Sequence, residues 1–293
     1  GDALRAAPLA FLPFGKLAMQ LPIPLATRFR RARTRLDRIV FGMIAERRAA
    51  AARGEPTDRG DLLSMLLAAR DDEDGSATPN AALSDTELRD EAMTIFLAGH
   101  ETTASALSWT WYLLGQHPDV AARLHAELDT VLGAGDTGPR RAPGMDDLAA
   151  LPYTRAVITE SMRLFPPAYA IGRMCVERTT VGGYAIEPGW GVLTSPWLAH
   201  HDARWWPEPD RFRPERWLDP NEAANRPRFA YFPFGGGTRI CIGEQFAWTE
   251  ATLVLATLAS RWSVALTPGR VPRPRGSVTL RPIGGVWATL RPR

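Results

Sequence analysis

Between Phe232 and Ala247 the chain reads Phe-Pro-Phe-Gly-Gly-Gly-Thr-Arg-Ile-Cys-Ile-Gly-Glu-Gln-Phe-Ala. Three consecutive glycines, one arginine and one of only two cysteines fall in this turn. The apolar run from Phe246 to Leu258 predicts a helix directly after it. A cysteine at a helix mouth lies near unpaired backbone N–H groups and the positive end of the helix dipole, which favour a thiolate. Glycines allow a tight fold and a close approach to a flat object, because no Cβ stands in the way. Arg239, two residues before Cys241, is placed for an anionic group on that object. The stretch therefore describes a thiolate presented to a cofactor.

Composition removes several other classes. The 293 residues are 45% hydrophobic and 23% charged, as in ordinary globular proteins. A net charge of +3, from 35 basic and 32 acidic residues, does not point to nucleic acid. Lys16 is the single lysine; arginine and alanine dominate, which suggests a GC-rich bacterial source. Cys175 and Cys241 make no disulfide framework, so a reducing, cytoplasmic setting is expected. No Cys-x-x-Cys-His motif for covalent haem attachment occurs, and the start lacks the charge pattern of a signal peptide. The longest apolar stretch, Met93 to Leu114, carries His100 and Glu101 and is not a membrane span.

In chain order, residues 1–26 form a proline-punctuated lead-in, and a helix is expected from Thr27. Phe29, Leu36, Ile39, Val40 and Met43 mark its apolar face; Arg28, Arg30, Arg31, Arg33, Arg35 and Arg38 crowd the rest as a solvated surface. A short helix over 61–70 and a loop over 71–82 follow. Ser84-Asp-Thr-Glu87 is a capping box opening a helix to about Gln116. Inside it, Ala98-Gly-His-Glu-Thr-Thr103 is a poor choice for helix stability. Two readings stand there: a functional site, or a kink with a solvent-facing glutamate. Helices over 117–131 and 152–165 come next, the second stopped by Pro166-Pro167 and carrying Glu160 and Arg163 on one face. Short strands are expected at 179–181, 183–186 and 191–194, then an irregular segment over 205–228. The last strands are expected around Val264, Ser277 to Arg281 and Val286 to Leu290, with Gly284-Gly285 as a turn between the final two.

The pattern Phe-x-x-Gly-x-Arg-x-Cys-x-Gly is filled by Phe234, Gly237, Arg239, Cys241 and Gly243. With Glu160-x-x-Arg163, Pro214-Glu-Arg-Trp217 and Ala98-Gly-x-Glu-Thr-Thr103 in register, the chain resembles the C-terminal part of a cytochrome P450, a haem-thiolate monooxygenase. The resemblance covers essentially the whole chain. It implies a mainly α fold with small β-sheets (α+β), forming one haem-binding domain over 1–293. It implies haem b (iron protoporphyrin IX) with Cys241 as axial iron ligand, Arg239 and Arg173 on the propionates, and Phe234 beneath the sulfur. Gly235, Gly243, Ala98 and Ala247 are implied as further cofactor contacts. Glu160, Arg163 and Arg216 match the family's buried structural cluster. Glu101 and Thr102 match its acid–alcohol pair, which delivers the protons that dioxygen cleavage consumes. Phe96, Ala170, Ile171 and Ile283 are candidate substrate contacts, so a small apolar or amphipathic organic substrate is expected. Cys175 is expected to be an inert buried thiol.

Whole members of the family are longer, and the resemblance implies that the N-terminal part of the fold, with one side of the haem pocket, is missing. Residues 1–293 alone are therefore expected to bind haem weakly or not at all. No flavin or iron–sulfur signature follows the cysteine motif, so electrons are expected from a ferredoxin or flavodoxin with its reductase, or from a diflavin reductase. The alternatives are a peroxide-using or isomerising haem-thiolate enzyme, or a truncated non-catalytic haem protein.

Overall fold

The computed structural model describes residues 23–71, 81–133 and 141–293. The chain divides into two compact units, residues 1–100 and 101–293.

In the first unit, helix α1 (Pro24–Ala52) starts at a proline, whose missing N–H costs nothing in the first turn. Its six arginines between Arg28 and Arg38 are exposed, as expected for a solvated face. The packed stripe differs from the expected one. Ile39 and Met43 are half exposed, while Val40, Phe41, Ile44, Arg47 and Ala50 turn inward against Leu63 of α2 (Leu62–Ala68) and Leu88 of α3 (Asp85–Gln116). Arg47 lies in this inward stripe as well, buried where it pairs with Asp61 and donates to Ser64 Oγ at 2.8 Å. Asp61 also caps α2 through Ser64 N at 2.9 Å. The Ser84 box closes as its sequence predicts: Ser84 N donates to Glu87 Oε2 at 2.7 Å, and Glu87 N to Ser84 Oγ at 3.3 Å. Of the loop expected over 71–82, only the ends are described, as the two-residue strands β1 (Arg70–Asp71) and β2 (Ala81–Ala82). The lead-in over 1–22 lies outside the described residues.

The second unit holds the larger core. Leu124 and Leu128 of α4 (Pro118–Leu132), Val157 and Ile158 of α5 (Pro152–Leu164) and Leu255 and Ala256 of α8 (Glu244–Ala259) are buried together with Leu113 and Leu114. Helix α5 is central, with eleven of its thirteen residues buried, so Glu160 and Arg163 cannot be a surface ion pair. Strand β3 (Ile171–Met174) pairs with β6 (Gly191–Thr194), and β4 (Thr179–Val181) with β5 (Tyr184–Ile186). The segment after β6 is mostly irregular, interrupted by short helices α6 (Pro196–His200) and α7 (Pro220–Ala224).

One expectation about the C-terminus is corrected. Ser277 to Thr279 form no strand; they turn the chain between β8 (Arg273–Gly276) and β9 (Leu280–Ile283). Gly284 and Gly285, both at left-handed φ, form the expected turn between β9 and β10 (Ala288–Pro292), and β10 pairs with β7 (Trp262–Leu266). Cys175 is half-buried, not fully buried; its thiol donates to the Glu177 carbonyl at 2.9 Å.

Candidate active site

The cysteine loop is built almost entirely by its own backbone. Gly235 and Gly237 take φ of +79° and +74°, which side chains strain against. At Gly236 a Cβ would stand 2.7 Å from the Phe229 ring. Gly235 N donates to Phe232 O at 3.0 Å, and Cys241 N closes the loop on Phe234 O at 3.0 Å. Gly243 then opens α8, and Ala247 N donates to Gly243 O at 2.8 Å in its first turn. Cys241 thus sits just before the helix start with its side chain exposed. Around it Ile240, Ile242 and Phe246 also stand in water, Ile242 almost completely at 99%. Phe234 turns the other way, against the main core and the Trp248 ring at 5.4 Å.

Strand β3 approaches this loop. Ile171 Cδ1 would lie 3.6 Å from a Cβ on Gly235, so the structure brings these two candidates together. Ala170, just before the strand, is half-buried. Arg173, two residues on, is exposed, as is Arg239. Neither arginine meets a carboxylate among the described residues. Ile283, at the end of β9, is half exposed.

On α3, the carboxylate of Glu101 is held from the C-terminal hairpin. Arg281 Nη1 lies 3.0 Å from Glu101 Oε1, and Thr279 Oγ1 donates to the same oxygen at 3.2 Å. The hairpin is stitched to the helix beside this pair: Ser105 Oγ and Trp109 Nε1 donate to Leu280 O at 2.7 and 3.1 Å. Thr102 is half-buried next to Glu101, and the Thr103 hydroxyl is buried with no hydrogen-bond partner among the described residues. In the first unit, Phe96 is exposed and stacks on His100 at 5.8 Å, Ala98 is exposed, and nothing lies within 4 Å of where a Gly99 Cβ would be.

Glu160 is the most heavily bonded carboxylate described. Arg163 reaches it twice, at 3.0 and 2.9 Å, and Arg216 Nε once at 2.9 Å. Two further donors were not foreseen from sequence: Trp217 Nε1 at 2.8 Å and Arg213 N at 3.1 Å. The guanidiniums spend their remaining N–H groups on the carbonyls of His200, Pro207, Pro209 and Arg211 in the irregular segment. Arg226 lies between the Trp206 and Trp217 rings at 4.6 and 4.7 Å. Its place beside a tryptophan-rich stretch is the one signal that sequence offered for it.

His200 is fully buried, and its Nε2 accepts the N–H of Phe232 at 3.0 Å. Burial away from water, aided by the nearby Arg163 charge, pushes the imidazole down to about 3 from its ordinary 6.5. The unfolded chain therefore binds a proton below about pH 6.5 that the folded chain refuses, so stability falls as pH falls. Between about pH 7 and pH 5 this group is expected to remove about 2 kcal/mol. Urea unfolding at both pH values checks it, with the His200→Gln variant losing correspondingly less.

Comparison with known proteins decides the family. The cytochrome P450 family model matches residues 4–285. The chain belongs to the cytochrome P450 family. It is 46% identical over 273 residues to cyclooctatin synthase of Streptomyces melanosporofaciens, covering 92% of this chain and 56% of that protein. It is 44% identical over 250 residues to cyclooctat-9-en-7-ol 5-monooxygenase of the same organism, covering 85% and 51%. Among solved structures, the retinoic acid bound cyanobacterial CYP120A1 superposes with a TM-score of 0.80 at 32% identity, over 94% of this chain and 60% of that one. The chain thus spans about half the length of these curated relatives. Members of the P450 family carry haem, and the residues here suit it: an exposed thiol, left-handed glycines, apolar side chains left in water and two exposed arginines with no carboxylate partner among the described residues. No described helix is long and apolar enough to cross a membrane.

Proposed function

We propose that the protein is a haem-thiolate monooxygenase that uses dioxygen to oxidise a small apolar or amphipathic organic substrate, with residues 1–293 part of a single haem-binding domain. The Cys241 loop carries this reading: a thiol left exposed at a helix start, with glycine clearance and apolar neighbours. Cys241 Sγ would hold the iron of a haem b and Arg239 and Arg173 would neutralise its propionates, while Phe234, packed on Trp248, would back the cysteine loop from the core side. Bound there, a haem would supply reductive activation of dioxygen, with Cys241 as its electron-rich thiolate ligand. Thr102 donates a hydrogen bond on the oxygen side, and Glu101 carries protons in from solvent. Arg281 and Thr279 hold the Glu101 carboxylate in one place, so its proton traffic depends on that ion pair opening and reclosing.

Electrons come from a ferredoxin or flavodoxin with its reductase, or from a diflavin reductase. The name cyclooctat-9-en-7-ol 5-monooxygenase, carried by a 44% identical relative, supports an unsaturated, largely apolar carbon skeleton as substrate. Ala170, Ile171 and Ile283 offer it small and branched apolar side chains. The test is turnover of such compounds by the protein in its full natural length, with redox proteins and isotopically labelled dioxygen. One labelled oxygen atom per product is expected. Label arriving from water, or equal turnover on hydrogen peroxide that Thr102→Ala leaves unchanged, would overturn the reading.

A further inference from the structure

Two ends of one buried residue join the Glu160 cluster to the cysteine loop. The main-chain carbonyl of His200 accepts Arg163 Nη1 at 2.8 Å, while its side-chain Nε2 accepts the N–H of Phe232 at 3.0 Å. Phe232 opens the loop that ends in Cys241, and its own carbonyl accepts the Gly235 N–H at 3.0 Å. The His200 ring is fixed from the sides as well, 4.9 Å from the Tyr231 ring and edge-on to Phe232 at 5.7 Å. Tyr231 is anchored in turn, its hydroxyl donating to Thr159 O of α5 at 3.1 Å. Because Nε2 accepts, the ring proton resides on Nδ1, which is buried without a well-aligned partner.

We propose that His200 is a positioning residue for the cysteine ligand: its Nε2 sets the path of the loop at Phe232 and so the placement of Cys241. It acts through the backbone, without touching the reacting atoms. The inference rests on reading Cys241 as the axial ligand. Removing a buried acceptor is expected to shift the equilibrium between a held and a released loop by about 10- to 100-fold. Gln reaches the Nε2 position with its amide oxygen and should restore the bond; Leu removes the acceptor, and Asn is too short to reach.

The test has two arms on the protein in its full natural length. Native-state hydrogen exchange should quicken by about 10- to 100-fold over residues 232–241 in His200→Leu, with α5 unchanged and His200→Gln close to the parent. In the haem-loaded protein, the thiolate-type Soret band of the reduced carbon-monoxide complex should diminish in His200→Leu and return in His200→Gln. If His200→Leu does not fold, His200→Asn takes its place against His200→Gln. Loop exchange equal to the parent, or a rise spread evenly through α5 and the core, would overturn the proposal. An intact Soret band in His200→Leu would do so too. A parent protein with a protected loop but no thiolate-type band would instead refute the haem reading, leaving the exchange arm to decide the role of His200.

Discussion

Glu160→Ala is expected to lower the free energy of unfolding by about 3–5 kcal/mol, a large share of the stability of a domain. Two guanidiniums, those of Arg163 and Arg216, are fully buried against this one carboxylate. Deleting it leaves two like charges unpaired in the interior, and also strands the Trp217 and Arg213 N–H donors. The damage should travel, because the same guanidiniums hold the carbonyls of His200, Pro209 and Arg211 in a segment with little regular structure. Urea unfolding followed by tryptophan fluorescence measures it, Trp206 and Trp217 both lying at the cluster. A loss below about 1 kcal/mol would place this network with weak surface pairs and contradict its structural role.

Glu101→Ala is expected to reduce product formation by about 100-fold or more, in line with the loss of a positioned proton-transfer group. Oxygen consumption should fall less than product, since reduction continues while productive cleavage fails. Haem content and substrate affinity should stay near the parent, because Glu101 is bonded to Arg281 and Thr279 and is remote in sequence from the cysteine loop. Arg281→Lys should retain most turnover, while Arg281→Ala frees the carboxylate and loses coupling of oxygen to product. Parallel loss of haem or of overall stability in Glu101→Ala would recast the residue as a structural anchor for the hairpin. Product and oxygen rates together, measured under saturating redox partner, separate the two outcomes.

Much of this arrangement was legible in the residues themselves. The Ser84 box, the prolines at 118 and 152 and the pair Pro166-Pro167 are local signals, and the helices begin and end within a residue or two of them. The glycine run and Cys241 were informative for the same reason: positive φ and helix mouths are properties of a few neighbouring residues. What escaped depends on partners far apart in sequence. Arg281 sits in an arginine-rich tail with no local mark, and it meets Glu101 only because Ser105 and Trp109 fasten Leu280 to the helix. His200 stands beside His201 with nothing local to tell them apart; burial and the Phe232 N–H distinguish it in the fold. The burial of Arg47 is equally unmarked, since nothing near it in sequence announces Asp61 and Ser64. The Gly284-Gly285 turn was local and legible, whereas the pairing of β10 with β7 is a long-range contact that no neighbouring residue announces.

The central claim is that Cys241 supplies the thiolate that holds the haem iron. Its most direct test is the reduced carbon-monoxide difference spectrum of the protein in its full natural length, recorded beside Cys241→Ser and Cys175→Ser. A thiolate-type Soret band in the parent and in Cys175→Ser, lost in Cys241→Ser, is the predicted result. A parent protein without that band, or its survival in Cys241→Ser, would contradict the assignment of Cys241 as the ligand.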